Sequence, residues 1–217
     1  MRVLFISFFL VITDQLSKFL IKGFTIPFLK FRYEGMFHGQ RTKIFGDFFQ
    51  ITFIENPGMA FGYDPGNSLK LYVSLFSLFA SIALIIYLYS ARKKSLSLRV
   101  SLAFILGGAV GNLIDRMFYG LFYGYAPLFY GRVVDFLDFD FFHFTLFGRT
   151  FERFPVFNLA DASVTIGVVI LILFYKHNQN EIENSMAVIP RNADRGSINL
   201  NNGTKNDGPD QGKNISL

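Results

Sequence analysis

The chain contains no cysteine and no tryptophan, and only three histidines, His38, His143 and His177. Without cysteine there is no disulfide, no thiolate metal ligand and no cysteine nucleophile. The histidines are far apart and no H-E-x-x-H pair exists, which argues against a zinc protease. No G-x-S-x-G elbow is present, and the serine of "GNSLK" (66–70) has no evident histidine partner. The glycines of "LGGAVGN" (106–112) sit inside an apolar run, where they suit close helix packing better than a phosphate loop. Charged residues make up 17% of the 217, with a formal net charge of +5. In so apolar a chain that excess fits cytoplasmic loops and anionic headgroups, and no nucleic-acid partner is implied.

What is abundant is apolar surface: 51% hydrophobic residues, 29 of all residues being Phe. They cluster in blocks of about bilayer-spanning length, at about 3–21, 71–90, 98–116 and 159–175. The first block opens like a signal peptide but has no small-residue cleavage site, and reads as an uncleaved anchor. Arg92, Lys93, Lys94 and Arg99 crowd the connection between blocks two and three, with Arg2 before the first and Lys176 after the fourth. Basic residues in short connections stay inside, which gives four spans with both termini cytoplasmic.

The expected fold is therefore an all-α membrane protein of four transmembrane helices. A small β-rich segment on the outer surface is expected at 44–55, "IFGDFFQITFIE", where residues partly alternate. Residues 117–157, dense in Phe and Tyr, read as an interfacial loop. The domain division is 1–176 for the four-span unit, with outer segments 22–70 and 117–157, and 177–217 for a polar, Asn- and Gly-rich, disordered cytoplasmic tail.

On this topology the polar residues that hydropathy does not explain converge on one side. Asp14 and Lys18 lie in the outer half of the first span, Asn112, Asp115 and Arg116 at the outer end of the third, and Asn158 and Asp161 at the outer start of the fourth. Asn56 and Asp135 lie in outer segments. Intramembrane ionisable residues at one depth suggest a site. Each also has a plainer reading. Asp14 and Lys18, at i and i+4, can neutralise each other. Arg116 can snorkel. Asn56 stands in the turn-like "ENPGMAFG" with Gly58. Asn158 can cap the fourth helix, although Asp161 lies three residues further in. Asp138 and Asp140, in "DFLDFDFF", read as solvated, and Asp135 as drier. Two nearby carboxyls, Asp135 and Asp161, could share a proton and hydrolyse an amide without a metal or cofactor.

The blocks "TDQLSKFLIK" (13–22), "NPGMAFG" (56–62), "GGAVGNLIDR" (107–116), "GRVVDF" (131–136) and "FNLADASVTIG" (157–167) resemble, in order, those of the lipoprotein signal peptidase (signal peptidase II) family. The resemblance implies an intramembrane aspartic endopeptidase of the bacterial inner membrane. It would cut prolipoprotein signal peptides before a diacylglyceryl-modified Cys, near the periplasmic face, and be inhibited by globomycin-type cyclic peptides. Besides its substrates, its surroundings are membrane phospholipids. It implies Asp135 and Asp161 as the catalytic pair. Asn56, Asn112 and Arg116 would hold the substrate backbone, Asn158 would orient the pair, Asp14, Lys18 and Asp115 would brace the site, and Gly58 would bind substrate or support the site. Met59 stands where the family commonly has Ala, and residues 30–43 and 117–130 lengthen two outer segments. A small transporter or channel subunit with a polar outer vestibule is the alternative.

Overall fold

The computed structural model describes residues 2–58, 66–141, 144–146, 149–151 and 153–187. Expectations placed on Met59 and on residues 188–217 fall outside it. Helix α1 (Leu4–Lys22) is apolar outside and polar inside. Its buried residues are Ser7, Asp14, Gln15 and Lys18, whereas Phe5, Phe8, Phe9, Leu16 and Leu20 are exposed. A water-soluble helix would do the reverse. Lipid chains accept the apolar face, and packing against other helices is left to small and polar groups.

Helix α2 (Gly66–Ser90) is followed by α3 (Leu96–Ile114). Ser95 caps α3, its hydroxyl accepting from the Leu98 N–H. Helix α3 continues through a π-helical turn (Asp115–Tyr119) into the single turn α4 (Gly120–Phe122). The last helix, α5, spans Leu159–Ala187. Three helical stretches, Leu4–Lys22, Ser68–Lys93 and Leu96–Phe122, are long and apolar enough to cross a membrane, and Leu159–Phe174 is a shorter apolar helix.

Helix α3 is the hub, with 44% of its apolar stretch buried against 22% for α1 and 17% for α2. Its glycines explain why. A Cβ on Gly107 would lie 2.9 Å from Leu10 Cβ, and one on Gly108 only 2.2 Å from the Ala160 carbonyl oxygen. On α5, a Cβ on Gly167 would lie 2.7 Å from the Ser101 carbonyl oxygen. Backbones approach this closely only where side chains are absent. On another face Val3, Leu88, Ala91, Leu102, Ala103 and Leu106 pack α1, α2 and α3 together.

Small antiparallel sheets accompany the helices. Strands β1 (Phe24–Ile26) and β2 (Phe31–Tyr33) form a hairpin. Strands β3 (Arg41–Phe45), β4 (Phe49–Asn56) and β5 (Val133–Phe139) form a three-stranded sheet in that order. Strands β6 (Phe144–Leu146) and β7 (Arg149–Phe151) pair with each other. Beyond β5, Phe157 forms a bridge with Leu137, its carbonyl accepting from Leu137 N–H at 2.7 Å. That bridge sets the start of α5 beside β5.

One expectation is corrected. Strand β5 occupies part of the stretch read as an interfacial loop. Val133 to Phe136 are buried on both faces, so "VVDF" shows no in–out alternation and gives a weak strand signal. Helix α5 runs on to Ala187, past position 177. The segment "HNQNEIENSMA" contains no Gly or Pro, and its Gln, Glu, Met and Ala favour helix.

Gly108→Ala should lower stability by about 1–3 kcal/mol, through overpacking against Ala160. Thermal unfolding of the purified protein in detergent checks this, with lipid-facing Phe79→Ala expected to shift little.

Candidate active site

The polar residues of α1, α3, β4, β5 and α5 meet at one end of the bundle. At their centre is Lys18, whose side chain is 0% exposed. Its ammonium lies 2.8 Å from Asp14 Oδ2 and 2.7 Å from Asp115 Oδ2, and it donates to Asn112 Oδ1 at 2.9 Å. An ammonium has three N–H donors, and three acceptors surround this one. Each acceptor also holds another element. Asp14 Oδ1 accepts from the Ala160 N–H at 2.9 Å, fixing the first turn of α5. Asp115 Oδ2 accepts from the Val134 N–H at 3.2 Å, fixing β5. Asn112 Nδ2 donates to Asp161 Oδ1 at 2.8 Å.

Asp135 comes from β5 and is 4% exposed, while Asp161 comes from the first turn of α5 and is half-buried. All four of their carboxylate oxygens accept a hydrogen bond. Asp135 Oδ1 receives Asn158 Nδ2 at 2.7 Å, and Oδ2 receives Asn56 Nδ2 at 3.1 Å. Asp161 Oδ1 receives Asn112, and Oδ2 receives the Asn158 backbone N–H at 3.2 Å. Asn158 is fully buried and links the two carboxylates. Its Nδ2 also donates to Asn112 Oδ1 at 3.0 Å, and its Oδ1 accepts from the Asp161 N–H at 3.0 Å. Asn158 and Asp161 thus cap the helix reciprocally, with Asp in the place usually taken by Glu or Gln.

Asn56 is held in turn by Gly58, whose N–H donates to Asn56 Oδ1 at 2.9 Å. Gly58 has φ +114°, a conformation that glycine adopts without strain. Burial, and after it the nearby Asp161 charge, pushes the Asp135 carboxyl up to about 7. Both effects disfavour the ionised form. Arg116 is half-buried, and its Nε is buried with no hydrogen-bond partner among the described residues.

The structure therefore brings Asp14, Lys18, Asn56, Asn112, Asp115, Asp135, Asn158 and Asp161 into one network, with Gly58 at its edge. Two members were missed in the sequence. Gln15 donates to Asp115 Oδ1 at 2.9 Å and to the Gly111 carbonyl at 3.0 Å. Tyr119, 0% exposed, donates to Gln15 Oε1 at 3.1 Å. Gln15 left a trace, being one more polar residue in an apolar block. Tyr119 left none among so many tyrosines, and it reaches Gln15 from the π-helical turn. Asp138 corrects the solvated reading, since it is 1% exposed. It accepts from the Thr52 hydroxyl and pairs with Arg153 Nε at 2.7 Å. Alternation along β5 places it on the opposite face from Asp135, so it closes the sheet rather than joining the network.

Fold and geometry define a class: a multi-pass helical membrane protein with a carboxylate pair, one member buried and one half-buried, at one end of its bundle. Residues 6–176 match the family described as signal peptidase (SPase) II, and the chain belongs to that family. It is 32% identical to the lipoprotein signal peptidase of Porphyromonas gingivalis over 212 residues, covering 83% of this chain and 85% of the relative. It is 36% identical to the lipoprotein signal peptidase of Moorella thermoacetica, covering 79% of this chain and 90% of that one. A bacterial membrane enzyme solved by the in meso method superposes with a TM-score of 0.57 at 28% identity, covering 83% of this chain and 90% of that one. The transporter or channel alternative finds no support among these relatives.

Lys18→Met would leave Asp14 and Asp115 facing each other in a dry site. A loss of about 3–5 kcal/mol is expected, as for other buried charges deprived of a partner. Removing one carboxylate as well, in Lys18→Met with Asp115→Asn, should recover part of the unfolding midpoint.

Proposed function

We propose that the chain is an intramembrane aspartic endopeptidase that removes signal peptides from prolipoproteins by cutting before a diacylglyceryl-modified Cys. The observation that carries this reading is the pair Asp135 and Asp161, joined through Asn158 and supplied with a donor at every carboxylate oxygen. Family membership supports the peptidase and its substrate class. The aspartic chemistry is inferred from the geometry.

The pair works as one acid–base unit carrying one proton. The ionised carboxylate takes a proton from a water molecule, and that oxygen attacks the scissile carbonyl. The other carboxyl gives its proton to the carbonyl oxygen, forming a tetrahedral diol. Collapse returns a proton to the leaving nitrogen. Asp135, with its raised carboxyl, is the natural holder of the proton at neutral pH. Asn158 and Asn56 orient Asp135, and Asn112 orients Asp161. Asn112 is assigned there, and not to the substrate backbone, because both ends of its amide are already engaged. Arg116 keeps the substrate-side role, its buried Nε being open to a peptide carbonyl. Asp14, Lys18 and Asp115 brace the site.

The surrounding arrangement belongs to the same proposal. Leu159–Phe174 serves as a fourth span, both termini are cytoplasmic, and the site end of the bundle faces the periplasm from the bacterial inner membrane. Residues 1–176 form the peptidase unit and the remainder a cytoplasmic extension. No cofactor is required, globomycin-type peptides inhibit, and nucleic acid is not a partner.

Asp135→Asn and Asp161→Asn should each lower cleavage of a diacylglyceryl-modified prolipoprotein by at least about 10²–10⁴-fold, the usual weight of a general acid–base group. Wild type should be unaffected by a chelator. Full activity in either variant would remove the pair from the mechanism. The pH profile gives an independent check. The Asp135 carboxyl holds its proton below about 7 and loses it above, and a doubly ionised pair cannot protonate the carbonyl. Plotted against pH, kcat/KM should fall on the alkaline side of about 7, by roughly tenfold per pH unit.

A further inference from the structure

A cavity of about 780 Å³ lies beside the last two turns of α1, between the β1–β2 hairpin and the end of α4. That volume is within the range of about 300–1,000 Å³ typical of small-molecule sites. It is distinct from the carboxylate pair, none of whose residues line it. One wall is apolar, made by Leu16, Phe19 and Leu20 of α1 with Phe122 opposite. Leu16 and Leu20 are 57% and 58% exposed, so this wall opens to the bilayer side of a membrane helix. The other end is polar, where Lys22, Arg32 and Glu34 form the rim. From Leu16 to Lys22 the helix rises about 9 Å, at 1.5 Å per residue. The cavity therefore runs from hydrocarbon depth to the headgroup layer, and a ligand must itself be apolar at one end and charged at the other.

The charges at the rim narrow the choice. Arg32 and Glu34 form a two-pronged pair, Nε to Oε1 at 3.0 Å and Nη2 to Oε2 at 3.1 Å. Both are solvent-accessible, at 69% and 70%. The fork leaves Arg32 Nη1 outside it, a planar donor suited to a phosphate oxygen. Glu34 offers its remaining lone pairs to a cation. Lys22 belongs to the lining as well. Its ammonium pairs with Glu55 and sits 4.1 Å from the Tyr123 ring centroid, so it contributes field more than contact. A cation and an anion side by side at headgroup level match a zwitterionic headgroup.

We propose that this cavity binds one bilayer aminophospholipid of the phosphatidylethanolamine type. One acyl chain lies along Leu16, Phe19 and Leu20, the phosphate meets Arg32, and the ammonium meets Glu34. The proposal rests on the chain being a membrane protein and not on the peptidase reading. The lipid is a resident of the bilayer, separate from the diacylglyceryl group of any substrate.

The test uses the full-length protein in nanodiscs of phosphatidylcholine doped with equal phosphatidylethanolamine and phosphatidylglycerol, followed by native mass spectrometry of retained lipid. Wild type should retain one phosphatidylethanolamine, preferred over phosphatidylglycerol on the order of tenfold, as one charge-assisted contact implies. Glu34→Gln should erase that preference while retention of a phospholipid persists. Thr25→Trp, at an exposed β1 position lining the cavity, should expel the lipid. Unfolding midpoints and prolipoprotein cleavage by both variants, measured separately, show whether they are folded. Equal retention of the two lipids by wild type would overturn the proposal, as would an unchanged preference in Glu34→Gln or a retained lipid in folded Thr25→Trp. Displacement of the lipid by a diacylglyceryl-modified peptide would give the cavity to the substrate instead, and would overturn it too.

Discussion

A single ammonium group holds this end of the molecule together. Lys18 is buried inside a membrane bundle, where an unpaired charge would cost several kcal/mol. Its three donors are taken by Asp14, Asp115 and Asn112. Those acceptors pass the constraint on, Asp14 to α5 through Ala160, Asp115 to β5 through Val134, and Asn112 to Asp161 directly. The two elements that carry the carboxylate pair are thus positioned by one buried cation. Buried ion networks are weak sources of net stability, and here the interaction is better understood as fixing geometry. Gln15 completes it by lending amide hydrogens to a cluster with two carboxylates and one ammonium.

The pair itself is held by neutral amides. Asn56, Asn112 and Asn158 donate to it, and none adds a charge that would lock both carboxyls in the ionised state. Burial then keeps the Asp135 carboxyl near neutrality in its preference for the proton. Salt-bridging cations at the same positions would have lowered it and, in the proposed mechanism, left the pair without its acid. The cation in the network sits one residue further back, separated from the pair by Asn112.

The stretch 117–130 leaves this geometry alone because it is pinched at its stem. Residues 117–130 leave and return between Arg116 and Gly131, where the Gly131 N–H donates to the Arg116 carbonyl at 2.9 Å. A Cβ on Gly131 would lie 2.1 Å from the Asp115 carbonyl oxygen. The β1–β2 hairpin closes in the same way, with the Met36 N–H donating to the Ile21 carbonyl at 2.7 Å. A closed excursion adds little loop entropy per extra residue. The two excursions also meet each other, and the cavity beside α1 is the space between them.

The sequence alone determined the apolar blocks, their basic flanks and the set of polar residues that did not belong in them. Hydropathy is a local property, and an Asp or Lys in an apolar run is visible without any partner. It also carried the family resemblance, because five short blocks preserve side-chain chemistry in order. Only the tertiary structure decided which of those residues touch. Lys18 selects Asp115 and Asn112 from a helix more than ninety residues away, and nothing at position 18 names them. Strand β5 was hidden because burial on both faces removes the alternation that marks a strand. Asp138 passed for a solvated residue because its partners, Thr52 and Arg153, come from other segments. The glycines of α3 were legible as packing residues, but which helix each one admits was set by the close approach of Leu10 and Ala160. Contacts across the chain depend on distance in space, and distance along the sequence does not encode it.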